Sequence, residues 1–140
     1  MRLYYRIKNF FVYGFDSFRA RCQRFKRGWS YGDVWNMDYW FIRTIKPMLI
    51  HLRDHGIGIP NALYVDGENE RVKWEEILTE MIECLDMMNE GNVRECLGFG
   101  DPDSYKYMSR EDYMSINNTM DENKNRFFEL FSKYFYSLWD

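Results

Sequence analysis

The strongest constraint on the fold is an apolar stripe that repeats every three or four residues between positions 72 and 91. Its members share one helical face: Trp74, Ile77, Leu78, Met81, Leu85 and Met88. The opposite side carries four carboxylates: Glu76, Glu80, Glu83 and Asp86. This pattern predicts an amphipathic helix that buries one face and is expected to end at Gly91.

Three further segments show helical periodicity. The first is a basic segment that ends at Gly28, with Asp16 as its candidate N-cap, and one of its faces carries Phe18, Cys22 and Phe25. The second is predicted to begin at Asp33 and to end at Gly56. It contains Pro47, which should bend or split the helix because proline lacks a backbone N–H.

The last helix is predicted to begin at Ser109, where Asp112 sits three residues on and completes an approximate capping box. Its apolar stripe continues to Leu138, although the polar residues 121–126 suggest an interruption. Residues 92–108 are expected to be irregular, and the segment Leu3–Tyr13 fits either a helix or an extended strand. The predicted core includes Trp74, Met81, Phe131 and Leu138.

These elements predict an all-α fold, a single-domain bundle of about four helices joined by irregular loops. The length of 140 residues fits one domain. The chain has only nine glycines and three prolines, and this low content argues against a loop-rich β protein. We expect the basic segment 1–28 to pack on a helical core formed by residues 33–140. Three widely spaced cysteines and the lack of a long apolar run predict a protein of the cytoplasm without membrane spans.

Charge is distributed unevenly along the chain. Residues 1–28 hold eight basic residues and one acidic residue, whereas the remainder holds 11 basic and 21 acidic residues, for a net charge of −3. Such asymmetry predicts either internal pairing of the two parts or an anionic partner for the basic end. A nucleotide or a nucleic-acid backbone would satisfy the second interpretation.

The sequence WSYGDVWNMDYW, residues 29–40, concentrates three of the five tryptophans. In helical register Trp35 lies nearer the apolar face, while Tyr39 and Trp40 point outward beside Arg43 and Lys46. The aromatics either pack beneath another helix or form a partner surface, since Trp, Tyr and Arg are typical of binding hot spots. The predicted partner-binding residues are Tyr39, Trp40, Arg43, Lys46, Arg24, Lys26 and Arg27. A homo-oligomer is a further use of the same aromatics.

The chain also resembles a family of small all-helical proteins encoded by tailed phages and prophages. The pattern begins with a basic stretch, a Gly-aromatic-Ser turn and an Asp-x-Trp-x-x-Asp motif, and it ends in an aromatic C-terminal helix. Its matching positions are Gly28, Ser30, Asp33, Trp35, Asp38, Pro60, Trp74, Ile77, Leu78, Phe131, Tyr134, Phe135, Leu138 and Trp139. The resemblance implies a phage accessory protein in the host cytoplasm, and it implies no particular activity.

No pattern in the chain predicts catalytic residues or a cofactor. His51 and His55 are four residues apart, but the sequence holds no third histidine to complete a zinc site. The favoured hypothesis is therefore a non-enzymatic interaction protein that binds a host component, with inhibition of a host antiviral defence as its expected role. The alternative is a small metal-dependent nucleotide hydrolase that binds magnesium through Glu76, Glu80, Glu83 and Asp86.

Overall fold

Six α-helices make up the described part of the computed structural model, which covers residues 17–63, 70–101 and 107–139. They are α1 (17–27), α2 (Tyr31–Trp35), α3 (Met37–His55), α4 (Glu70–Met87), α5 (Glu90–Cys96) and α6 (Arg110–Tyr134). Short 3-10 turns occur at Asn61–Leu63 and Phe135–Ser137. No strand occurs within the described ranges, which confirms the all-α class, although with six helices instead of about four.

The chain divides into two compact units, Met1–Phe41 and Ile42–Asp140. The prediction of a single domain, in which residues 1–28 pack on residues 33–140, stays a prediction. Two expectations lie outside the described residues, namely the N-cap at Asp16 and the conformation of Leu3–Tyr13.

In the first unit, α1 ends where the sequence predicts. Gly28 has a φ of +78°, a left-handed conformation that favours glycine, and its N–H donates to the carbonyl of Arg24 at 2.8 Å. The apolar stripe of α1 is present but exposed: Phe18, Cys22 and Phe25 all face solvent, and Phe25 retains 93% of its accessible surface.

The prediction of one helix from Asp33 to Gly56 was wrong in its first part. Ser30 is the N-cap of α2, and Asp33 lies in the first turn, where its carboxylate accepts from the Ser30 N–H at 2.7 Å. The chain leaves the helical region at Asn36 (φ −132°, ψ 61°), and α3 begins at the next residue. α3 then continues through Pro47, so the break lies at Asn36 and not at the proline.

The second unit has its core between α4 and α6. Most of the α4 stripe is buried as predicted, with Trp74 1% exposed and Met81 fully covered. Two of its members, Ile77 and Met88, are partly exposed. Trp74 meets Tyr134 of α6 edge-on, with ring centroids 5.5 Å apart. The buried set of this unit is Leu49, Leu52, Trp74, Leu78, Met81, Ile82, Cys84, Leu85, Val93, Ile116, Phe127, Leu130 and Tyr134. Phe131 and Leu138, predicted as core, are partly exposed.

Gly91 does not end α4, and residues 92–96 are not irregular. α4 stops at Met87, and α5 begins after Asn89, whose side-chain oxygen accepts from the Gly91 N–H at 2.9 Å. The short helix buries Val93 completely. Because a seven-residue helix with one buried apolar residue has no measurable stripe, periodicity could not reveal it.

α6 begins as predicted and runs without the expected interruption. The N–H of Ser109 donates to Asp112 at 2.7 Å, and the Asp112 N–H donates back to the Ser109 hydroxyl at 3.2 Å. The polar residues 121–126 stay helical, and ion pairs of Lys124 and Arg126 contribute to their turns. Arg126 contacts Glu80 of α4 at 2.6 Å and Glu129 at 3.0 Å.

The end of α3 is fixed by Arg71 of α4. The Arg71 guanidinium donates to the carbonyls of Gly56 and Arg53, and it also forms an ion pair with Glu75 at 2.6 Å. These bonds satisfy carbonyls that a helix C-terminus leaves without partners. A side chain at position 56 would collide with the Leu52 carbonyl, which explains the glycine.

Candidate functional site

The candidate site of the first unit is the aromatic turn, which we define as residues 24–40. Its centre is the Asp33 carboxylate. Arg24 donates to it through Nε at 2.9 Å and through Nη2 at 2.5 Å, and the Ser30 N–H and hydroxyl donate at 2.7 and 2.8 Å. Four donors on one carboxylate stabilise its charged form, so the pKa of Asp33 is lowered, chiefly by the Arg24 hydrogen bond. Arg24 is therefore engaged within the turn.

Arg27 lies over two aromatic rings of the turn. Its guanidinium carbon is 3.9 Å from the ring centroid of Trp29 and 4.3 Å from that of Tyr31. Its Nε also donates to the Trp29 carbonyl at 3.1 Å, and the two rings meet edge-on. The cation is held in place while remaining exposed, which combines a charge with a rigid apolar support.

Trp40 belongs partly to the scaffold of the turn. Its indole Nε1 donates to the Gly28 carbonyl at 3.3 Å, and the residue is half-buried. Beside it lies a small cavity of about 240 Å³ lined by Trp29, Asp33, Val34, Met37 and Trp40. The sequence placed Trp35 nearer the apolar face and Trp40 outward, but Trp35 is 89% exposed. Because the chain breaks at Asn36, the register of one continuous helix does not apply to α2.

Several large apolar side chains of the aromatic turn are exposed to solvent: Phe25, Tyr31, Val34, Trp35, Met37 and Tyr39. The predicted site residues Tyr39, Lys26 and Arg27 are exposed with them. Trp35, Trp29 and Tyr31 were not among the predicted binding residues. Their composition pointed to them, since Trp and Tyr are enriched in hot spots, but helical register sent Trp35 to the wrong side.

The remaining predicted site residues, Arg43 and Lys46, belong to the second unit. Arg43 is exposed. Lys46 forms an ion pair with Asp86 of α4, which joins α3 to α4. The ammonium group of Lys46 therefore has a structural contact in addition to its predicted role in partner binding.

The acidic face of α4 is divided between two ion pairs. Glu80 contacts Arg126 and Asp86 contacts Lys46, whereas Glu76 and Glu83 are exposed. Within residues 17–63, 70–101 and 107–139, no group of three His, Cys, Asp or Glu side chains is arranged to hold a metal ion. The arrangement therefore gives the hydrolase hypothesis no specific support.

The remaining candidate side chains show ordinary surroundings. His51 and His55 stack on one face of α3 with centroids 4.6 Å apart. Cys84 is buried, and desolvation raises the pKa of its thiol, which opposes the thiolate that a nucleophile needs. Cys22 and Cys96 are exposed free thiols.

An apolar groove in the second unit was not predicted from the sequence. It encloses about 550 Å³ between α3 and the C-terminal end of α6, and its walls include Met48, Leu52, Phe131, Phe135 and Trp139. Met48 is 62% exposed there, and Phe135 and Trp139 are also exposed. The sequence did contain a signal for the groove, because residues 131–139 include more apolar side chains than the contact with α4 buries.

Comparison with known proteins adds no assignment. No protein-family model matches the chain, and neither a curated protein nor a solved structure does. In the part of the chain that the structure describes, no helix combines the length and the apolar composition needed to cross a membrane.

Proposed function

We propose that this chain is a non-enzymatic phage accessory protein that binds a host component through the aromatic turn. The observation that carries the proposal is the exposure of large aromatic side chains next to an ordered arginine, Arg27. Folded monomers seldom leave so many aromatics exposed in one short segment unless the surface has a function. The phage origin and the role against a host defence rest on the sequence resemblance alone.

The chemistry of the turn favours a protein partner with an acidic patch. Residues 17–41 carry five basic residues and two acidic ones, and one of the acidic residues, Asp33, is paired with Arg24. Arg27 already covers one face of Trp29 and one face of Tyr31, which leaves less ring surface for the stacking of nucleobases. Trp, Tyr and Arg are the residue types enriched among the few hot-spot residues that dominate binding at protein interfaces.

The proposal is tested by affinity capture followed by measurement on a purified partner. Tagged full-length protein is used to isolate host proteins, and the affinity of each purified candidate is then measured with Trp35→Ala, Tyr39→Ala and Arg27→Ala. Tyr107→Ala is the matched control, because Tyr107 is an exposed aromatic outside the aromatic turn. We expect the three variants to weaken binding and the control to bind like wild type.

Two outcomes would count against the proposal. If a genuine partner binds all three variants with unchanged affinity, the interaction uses another surface. If magnesium or manganese stabilises the protein and a nucleoside triphosphate is hydrolysed, the chain is an enzyme and the alternative hypothesis replaces this one.

A further inference from the structure

Two exposed apolar features were not among the predicted partner-binding residues, although one of their members, Phe25, also belongs to the aromatic turn. One is the stripe of α1, formed by Phe18, Cys22 and Phe25, and the other is the apolar groove of the second unit. The stripe covers eight residues, and its ends are about 10 Å apart along the helix. The α3 wall of the groove, from Ile45 to Leu52, also covers eight residues. The dimensions therefore suit one helix lying along a groove of two turns.

The distribution of charge favours the same pairing of α1 with the groove. Residues 1–41 carry eight basic and three acidic residues, whereas residues 42–140 carry 11 basic and 19 acidic residues. The first unit of one molecule is therefore attracted to the second unit of another, and repelled by the first unit of that molecule. The second unit of another copy therefore combines an exposed apolar groove with a net negative charge.

We propose that the occupant of the groove is α1 of a second copy of this chain. The stripe residues Phe18, Cys22 and Phe25 enter the groove of the other molecule against Met48 and Phe135. The two surfaces differ, so a single contact of this type is heterologous. Reciprocal exchange between two molecules satisfies both grooves and closes the assembly as a twofold dimer. The inference does not rest on the proposed function, and it is tested without any host component.

The native thiol of Cys22 allows a direct test by disulfide trapping. One tagged chain keeps Cys22 and carries Cys96→Ser, while a second chain with a different tag carries Cys22→Ser, Cys96→Ser and Met48→Cys. The two are mixed and treated with diamide, which takes up the two electrons and two protons that the thiols release. We expect a reducible product that contains both tags and has twice the 17.2 kDa mass of the chain.

A control chain carries Tyr107→Cys in place of Met48→Cys, since Tyr107 is exposed and remote in sequence from the groove walls. It should give little of the mixed product. An equal yield from the control would show random collision and would overturn the proposal. So would a chain with both Cys22 and Met48→Cys that forms only an internal disulfide, because α1 would then fill its own groove.

Sedimentation of the reduced protein supplies the second measurement. We expect a concentration-dependent dimer whose dissociation constant rises at least about tenfold in Phe25→Ser and in Met48→Ser, because each removes apolar contact area. Both side chains are exposed, so both variants should fold, and Tyr107→Ser should dimerise like wild type. A wild-type protein that stays monomeric at every accessible concentration overturns the proposal.

Discussion

The guanidinium of Arg24 and the carboxylate of Asp33, nine residues apart, form a two-pronged ion pair that joins α1 to the first turn of α2. Asp33 also accepts from Ser30, so one side chain both caps α2 and holds α1 beside it. The exposed aromatics of the turn are displayed on this frame. The carboxylate is consequently the best position at which to test whether the turn is ordered.

We expect Asp33 to titrate below an ordinary aspartate, because Arg24 lowers the pKa of its carboxyl group. The pair should contribute stability above the unfolded pKa of about 3.9 and lose it as the pH falls through the folded pKa. A carboxyl NMR titration measures the midpoint directly. Arg24→Ala should return the midpoint toward the ordinary range, whereas equal midpoints in both proteins would mean that the pair is absent in solution.

Two phenylalanines that lie four residues apart on α6 should differ in how much they contribute to stability. Phe127 is fully buried, so Phe127→Ala should cost about 3–5 kcal/mol in the free energy of unfolding. Phe131 stacks on Phe127 but is partly exposed in the groove, so Phe131→Ala should cost about half as much. Urea unfolding gives both values. The reverse order would contradict the register of α6.

Metal should have no effect on stability. Magnesium or manganese at millimolar concentration is expected to leave the melting temperature unchanged, because Glu80 and Asp86 already pair with cations. The double variant Glu80→Gln with Glu83→Gln should lose less than about 1 kcal/mol, since the Glu80–Arg126 pair is partly solvated. A melting temperature that rises with metal in wild type, but not in this variant, would restore the hydrolase hypothesis.

Two glycines should respond oppositely to alanine. Gly56→Ala places a methyl group against the Leu52 carbonyl and should destabilise the protein by about 1–3 kcal/mol. Gly32 lies within α2, and the nearest atom to an added methyl is the Ser30 hydroxyl at 3.8 Å. Gly32→Ala should therefore be neutral or should stabilise α2 by up to about 1 kcal/mol. Thermal unfolding and hydrogen exchange distinguish the two effects.

Partner affinity should depend on the aromatic turn in two ways. Tyr39→Ala is expected to weaken binding by more than about 1 kcal/mol while leaving unfolding unchanged, since the side chain is exposed. Trp40→Ala should weaken binding by a similar amount, but it should also loosen the turn by removing the bond to Gly28. Faster hydrogen exchange at residues 28–35, with an unchanged melting temperature of the α4–α6 core, would distinguish the second effect from the first.

Sequence reasoning succeeded where a local signal determines the structure. The Ser109–Asp112 pair correctly predicted the start of α6. The period of the α4 stripe correctly predicted that Trp74 and Met81 belong to the core. It failed where the structure depends on contacts between residues distant in sequence or on an unusual backbone conformation. Nothing in the residue type of Asn36 requires a break, since asparagine occurs in helices as well as in turns. The groove was missed because a periodic stripe shows which residues are apolar, but not how many of them a neighbouring helix covers.

The positions of the tryptophans make the protein its own optical probe. Trp74 is enclosed in the core, whereas Trp35 and Trp139 face solvent, one in the aromatic turn and one at the groove. Indole emission shifts to shorter wavelength when water is excluded from the ring. Covering either surface therefore alters the emission spectrum of the unlabelled chain, and replacing Trp35 or Trp139 by phenylalanine reveals which surface was covered.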